Sequence, residues 1–290
     1  MNVIALGFFD GVHIGHAALL EHAAALPGKS AALTFDVRPE TLTKGIDAPL
    51  IMTPGDRKTL LLQYVSDVFT LNFGNIMRLG WRDFIKDVLA ARFDHVVAGE
   101  DFRFGYRGEG DAARLSAECA ALGIGCGIIP EVTLDGTAVS STHIRALISN
   151  GDAETAARFL GRPHFLSGTV EHGRGLGKTI GSPTVNLPLS DGLQIPAMGV
   201  YLTNTVVNGE KLPSVTNIGV RPTVESDAPA RAETTIFDFD GCLYGERVRV
   251  ELLKFMRPER KFADISSLKA QIQTDMEKAR RYHQCQLKQK

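Results

Sequence analysis

The chain reads as two domains of different class: an α/β half built on a parallel sheet, then a small β-barrel-like domain closed by a helix. Three observations predict this. Short apolar strands alternate with helical patterns through the first half, the order of a parallel sheet with crossover helices. After Gly161-Arg162-Pro163 the pattern changes to alternating strands and turn residues. From Asp264 onward helical periodicity returns, with Leu268, Ile272 and Met276 four apart on one face. The 290 residues also exceed one ordinary domain of roughly 100 to 200 residues. The boundary is therefore expected between residues 162 and 163, giving domains 1–162 and 163–290.

In the first half the expected strands are Val3 to Phe8, Ala31 to Phe35, Val68 to Leu71, His95 to Ala98 and Gly125 to Ile129. The helices between them run from Gly15 to Leu26, Thr53 to Tyr64, Trp81 to Ala91 and Asp111 to Leu122. Thr53-Pro54-Gly55-Asp56 fixes where the second begins: Thr53 can cap, Pro54 suits the first helical position, and Asp56 returns a carboxylate. Helices Ser141 to Ser149 and Asp152 to Leu160 follow, with Asn150-Gly151 as a stop between them. In the second half, Val206-Val207-Asn208-Gly209-Glu210 carries an Asn-Gly hairpin signal. Ala232 to Phe239 and Arg247 to Phe255 read as another hairpin across Asp240-Gly241.

Net charge is -1 and the sequence pI about 6.7, without the basic footprint that binding to long nucleic acid demands. The first strand starts at once without a basic leader, and no apolar run approaches the ~18 residues of a membrane span. Nucleic-acid and membrane partners are not expected, and a soluble cytoplasmic protein is. Cys119, Cys126, Cys242 and Cys285 form no C-x-x-C pair, which points to reduced structural thiols.

Two Gly-punctuated stretches look built for phosphates. In Gly7-Phe8-Phe9-Asp10-Gly11-Val12-His13-Ile14-Gly15-His16 a strand ends, the chain turns on Gly11, and a helix begins near Gly15. Free N–H groups and the positive helix end then face the same opening as His13 and His16. Alone, H-x-x-H is more often two unrelated surface histidines or a partial metal pair than a phosphate site, and what favours the latter here is the order of strand, glycine turn and helix. Gly99-Glu100-Asp101-Phe102-Arg103-Phe104-Gly105 lies at the carboxyl edge of the sheet, where open α/β folds bind ligands. Ser140-Ser141-Thr142 opens a helix with Arg145 one turn in; singly, these are a cap and a solvated charge.

The second stretch, Gly173-Arg174-Gly175-Leu176-Gly177-Lys178-Thr179, is one residue short of a P-loop and no helix follows, so that reading is rejected. In Pro183-Thr184-Val185-Asn186, Thr184 and Asn186 share a strand face and could complete the shell of a Mg²⁺ held by ATP phosphates. The bland reading, an edge-strand Thr and a turn Asn, stands beside it. Asp238 and Asp240 lack the remaining EF-hand spacing and read as a turn.

G-F-F-D-G-V-H-x-G-H, then G-x-D-F-R-F-G, then S-S-T-x-I-R resembles the nucleotidyltransferase half of bacterial bifunctional riboflavin kinase/FAD synthetases. Gly181-Ser182-Pro183-Thr184-Val185-Asn186, Asn217 to Thr223, Glu233 to Phe239 and Arg257 to Phe262 are similar to their riboflavin kinase half. The resemblance covers nearly the whole chain. It implies a Rossmann-like nucleotidyltransferase domain followed by a six-stranded β-barrel with a C-terminal helix. It implies ATP contacts at Gly7, Phe8, Asp10, His13, His16, Asp101, Arg103, Ser140, Ser141, Thr142 and Arg145 in the first half, and at Gly173, Lys178, Thr184 and Asn186 in the second. Thr184 and Asn186 would hold Mg²⁺, and Glu233 would be the general base for the ribityl 5′-hydroxyl. The implied substrates and products are riboflavin, FMN, FAD and ATP.

The chain departs from the family pattern at Val37-Arg38-Pro39, where Pro-His-Pro is usual, at Ser182, where an aromatic is common, and at Thr235, where a histidine is common. Two other readings stay open at this point. One keeps a single activity, with the adenylyl half lost through Val37-Arg38; the other is a flavin- or nucleotide-sensing module without turnover.

Overall fold

The computed structural model describes residues 1–171, 184–220 and 230–287. The chain packs as two compact units, Met1–His143 and Ile144–Lys290, a division inside a helix and earlier than residues 162/163.

The first unit is built on five parallel strands, β1 (Asn2–Leu6), β2 (Lys29–Phe35), β3 (Asp67–Leu71), β4 (His95–Gly99) and β5 (Gly125–Ile129), ordered β3-β2-β1-β4-β5. Strand order reverses between β1 and β4, so the loops leaving their carboxyl ends flank the crevice where such sheets take ligands. Helices α1 (Ile14–Ala25), α2 (Pro39–Lys44) and α3 (Pro54–Leu61) lie between β1 and β3. α3 starts as its residues dictate: Thr53 accepts the Asp56 N–H at 3.1 Å and its hydroxyl donates to Asp56 Oδ2 at 2.6 Å. A four-residue helix, α4 (Phe73–Ile76), precedes α5 (Trp81–Asp83). α5 runs directly into a π-helical stretch, Phe84–Ala90, where a plain α-helix was expected. The wider turn puts Phe84 and Leu89, five apart, in register, and both enter the core with Ile85. α6 (Ala112–Ala121), capped by Asp111, then leads to β5. A small hairpin follows, β6 (Thr133–Leu134) and β7 (Thr137–Ala138), across Asp135-Gly136. Both turn residues adopt positive φ, 52° and 76°, the Asp-Gly signature that the sequence reading passed over.

α7 (Ser141–Ser149) spans the boundary between the units, and α8 (Ala153–Leu160) belongs to the second. The second unit is a six-stranded antiparallel sheet of β8 (His164–Thr169), β9 (Thr184–Pro188), β10 (Gly199–Val207), β11 (Glu210–Val220), β12 (Ala230–Ile236) and β13 (Arg247–Pro258). Its order is β8-β13-β10-β11-β12-β9. The end strands approach one another: a Cβ on Gly168 of β8 would sit 3.7 Å from Leu187 of β9, so the sheet curls into a nearly closed barrel. Leu166, Val185, Leu187, Tyr201, Ile218, Ala232, Val250 and Leu252 make its core, joined by Ala153 of α8. Thr203, Thr205, Ser214, Thr216 and Thr234 are fully buried and satisfy one another through hydroxyl contacts of 2.8–3.0 Å. The β10–β11 turn is the predicted one, with Asn208 at φ 50° and Gly209 at φ 87°.

Two expectations are corrected. The β12 and β13 segments do not form a hairpin: β12 pairs with β11 and β9, and β13 with β10 and β8, so both edges of each strand are already taken. In the closing helix, α9 (Ile265–Leu287), Leu268 is exposed, while Ile272 is half-buried and Met276 packs on the core beside the buried Asp275, Ala279 and His283. Polar anchoring joins this face: Arg257 of β13 donates to Asp275 Oδ2 through Nε at 2.9 Å and Nη2 at 2.6 Å, and Gln271 donates to Oδ1 at 2.9 Å.

His164, first residue of β8, is buried, and its imidazole is held neutral, down at about 3, by burial and then by Arg162. The unfolded chain takes up this proton below about pH 6.5 and the native state only near 3. The stability tied to the neutral ring is thus complete above 6.5 and falls by at most about 1.4 kcal/mol per pH unit in between. His164→Leu is expected to flatten the acid limb of a urea-unfolding midpoint measured between pH 7 and pH 5. An unchanged slope would remove His164 from the acid sensitivity.

Candidate active sites

In the first unit, the turn between β1 and α1 holds three departures from ordinary backbone within four residues. Phe9, Gly11 and Val12 have φ of 59°, 83° and 40°. A β-branched residue at positive φ is strained by about 1–3 kcal/mol, a cost met where surrounding contacts over-determine the chain. Those contacts are visible. The buried Phe9 ring lies 2.8 Å from where a Gly7 Cβ would be, so only glycine fits there. Asp10 is buried and its Oδ1 accepts the Ile51 N–H at 2.9 Å, while Thr34 donates to the Phe8 carbonyl at 2.9 Å.

His13 caps α1, its Nδ1 accepting the His16 N–H at 3.3 Å. The two rings stack with centroids 3.5 Å apart at 15°, and Phe9 meets His16 edge-on at 5.3 Å. The His13 bond selects a tautomer: with Nδ1 accepting, the neutral ring carries its proton on Nε2 and is a donor there. The Ser141 hydroxyl donates to the Asp10 carbonyl at 2.9 Å, and Ser140 Oγ accepts the His143 N–H at 3.2 Å, capping α7. The start of α7 is thereby fastened to the β1–α1 loop, and Thr142 lies in the same first turn. Arg145, buried, follows Ser141 by one turn of α7.

The loop after β4 begins level with Gly7, because Ala5 pairs with Val97. Asp101 folds back so that its Oδ1 lies 2.8 Å from a Gly99 Cβ position. Arg103 is directed to Asp111 at 3.4 Å and is largely exposed. Asp111 sits below the usual carboxylate range, chiefly because the Arg114 N–H donates to it at the α6 cap. Arg57 was missed by the sequence reading. It is buried, its Nη2 donates to the Phe35 carbonyl at 2.8 Å, and its guanidinium stacks over Phe8 at 4.3 Å. Burial lowers its pKa while the Asp10 carboxylate opposes that. It is a buried positive charge under the loop, and in sequence it looked like one more polar residue of α3.

In the second unit, Gly173, Lys178, Ser182 and the 221–223 stretch lie outside the described residues. Thr184 opens β9 opposite Thr235. Asn186, buried, is the direct partner of Glu233 on β12, and Glu233 is the partner of Asn217 on β11. These three residues form a row across neighbouring strands on one face of the sheet. Asn217 Nδ2 donates to Glu259 at 3.5 Å, and a Cβ on Gly219 would collide with the same carboxylate. Glu233 itself is exposed. On the opposite strand face an apolar cleft opens between Val170, Val185, Ile236, Phe239, Leu243 and Tyr244. An amide and a hydroxyl oxygen two residues apart are hard donors that suit Mg²⁺. Among the described residues no three His, Cys, Asp or Glu side chains gather as a metal cage, and no helix is long and apolar enough to cross a membrane.

The two halves each match a family. A family model described as FAD synthetase matches residues 1–143, and one described as riboflavin kinase matches residues 160–283. A bifunctional riboflavin kinase/FMN adenylyltransferase of Listeria monocytogenes is 35% identical over 97% of this chain and 92% of its own length. The protein of that name from Bacillus subtilis is 33% identical over the same shares. A crystal structure titled as a macrolide-efflux protein from Streptococcus pneumoniae is 31% identical and has a TM-score of 0.85, covering 96% of this chain and 93% of that one.

Proposed function

The chain belongs to the family of bifunctional riboflavin kinase/FMN adenylyltransferases, and we propose that its second unit phosphorylates riboflavin to FMN with ATP while its first adenylylates FMN to FAD, releasing pyrophosphate. The observation that carries this reading is the presence of both halves in one chain, in order, with a strained histidine-bearing loop at the sheet's reversal point in the first.

In the adenylyl step the FMN phosphate oxygen bonds to the α-phosphorus of ATP and the bond to pyrophosphate breaks. His13, donating from Nε2, His16 and the N–H groups opening α1 take the triphosphate. Ser140, Ser141, Thr142 and Arg145 hold its far end, with Gly7, Phe8, Asp10, Asp101 and Arg103 shaping the nucleotide pocket. Positioning and charge neutralisation supply the rate, without a covalent enzyme intermediate. In the kinase step Glu233 orients the ribityl 5′-hydroxyl and accepts its proton as the γ-phosphoryl group transfers. Thr184 and Asn186 would hold Mg²⁺, with Gly173 and Lys178 on the ATP phosphates. Bound there, the ion neutralises charge on the transferring group. We place the enzyme in the cytoplasm, where ATP and FMN are supplied and where its four cysteines stay free thiols.

The domains are proposed as 1–162 and 163–290 by catalytic content, with α8 needed to stabilise the barrel. Ala153 enters the barrel core and Glu154 accepts from Lys254 at 3.0 Å. A fragment starting at Ile144 is expected to make FMN, and one starting at Pro163 to melt at lower temperature. Equal melting of the two fragments would deny α8 that part. The function itself is tested by incubating the full chain with riboflavin, ATP and Mg²⁺ and separating products in time. FMN appearing first and FAD after it is expected; a reaction stopping at FMN, or yielding neither, overturns the two-step assignment.

A further inference from the structure

At the amino ends of β4 and β5, away from the nucleotide loops, two imidazoles meet over two glycines. His95 opens β4 and pairs directly with Gly125 of the edge strand β5. Its ring lies over that glycine so closely that any Cβ there would collide with Nδ1. One step along the same strand face, a Cβ on Gly127 would sit 3.1 Å from His22 Nε2 and 3.6 Å from His95 Nε2. His22 reaches this point from the last turn of α1. The Nε2 edges of both rings therefore converge on the open face of Gly127. Glycines at alternate positions weaken a strand, and their usual justification is the close approach of another group. Here that group is the histidine pair.

His95 Nε2 is closed off from solvent and has no hydrogen-bond partner among the described residues. A buried ring nitrogen without a partner is costly unless something fills the gap.

We propose that His22 and His95 form a site for a divalent transition-metal ion of the imidazole-preferring kind, Zn²⁺, Cu²⁺ or Ni²⁺, bound through the two Nε2 atoms above Gly127. Such ions sit about 2.0–2.1 Å from an imidazole nitrogen and favour nitrogen donors over the oxygen sets that suit Mg²⁺. No third His, Cys, Asp or Glu joins the pair among the described residues, so water completes the shell and the ion exchanges readily. Bound, it clips the end of α1 to β4 across the glycines of the edge strand.

Zn²⁺ titrated calorimetrically into the full chain tests this. His13 and His16 can take up Zn²⁺ independently, so the readout is a difference between proteins. Wild type is expected to bind one more equivalent than His22→Ala, or to bind it on the order of ten-fold or more tightly. His22 is exposed, so that variant keeps its fold. Gly127→Ala keeps both histidines in the chain but sets a Cβ 3.1 Å from His22 Nε2, pushing the rings off their shared point, and is expected to lose the same equivalent. Cu²⁺ electron paramagnetic resonance should report two nitrogen ligands in the extra signal of wild type, absent from both variants. Equal stoichiometry and affinity in all three proteins would overturn the proposal.

Discussion

Replacing His13 and His16 together with alanine is expected to abolish FAD formation from FMN, a loss on the order of 10³-fold or more, while riboflavin phosphorylation continues unchanged. Both rings stand at the start of α1, stacked 3.5 Å apart, with the α1 N–H groups beside them. Charge developing on a departing pyrophosphate would meet those donors in a loop held rigid by Asp10, Thr34 and Ser141. Preorganised donors are worth most where they need not reorganise, and this loop has little freedom to do so. The kinase chemistry is assigned to residues of the other unit, so the two half-reactions respond separately. They are assayed separately, with FMN or riboflavin as the starting flavin. Loss of both activities in a double variant with native circular dichroism would sink the assignment, as would FAD synthesis at the original rate.

Glu233→Gln is expected to lower FMN synthesis by on the order of 10²-fold or more while conversion of supplied FMN to FAD is untouched. Glutamine keeps the size and hydrogen-bonding reach of the side chain but cannot accept a proton. Glu233 stands between Asn186 and Asn217 in register across three strands, so a ligand oxygen placed by one neighbour is within reach of the next. Because it is exposed at a sheet position, the substitution should leave the barrel intact. Asn186→Ala should weaken the same step, partly recovered by raised Mg²⁺ if the amide holds the ion. Riboflavin phosphorylation at the unmutated rate in the Gln variant would remove Glu233 from the mechanism.

What the sequence determined by itself is what short-range chemistry controls. The Thr53-Pro54 start of α3, the Ser140 start of α7 and the Asn208-Gly209 turn depend on contacts within a few residues, the five parallel strands are marked by local apolar runs, and each lies where that patterning put it. The glycine-to-histidine loop belongs to the same class, since a strand, a glycine turn and a helix start are all written in sequence order. What only the tertiary structure decided is non-local. Two strands adjacent in sequence looked like a hairpin, yet β12 and β13 pair elsewhere, because pairing is chosen by the whole barrel's register. Leu268 falls off the packed face of α9, which meets the barrel through Met276 and Ala279 and is anchored where the buried Asp275 pairs with Arg257. Arg57 beneath the phosphate loop, the Asn186, Glu233 and Asn217 row, and the meeting of His22 with His95 over Gly127 each join residues from different elements. Chain neighbours carry no sign of such meetings, since they exist only once strands are ordered and helices are laid across them.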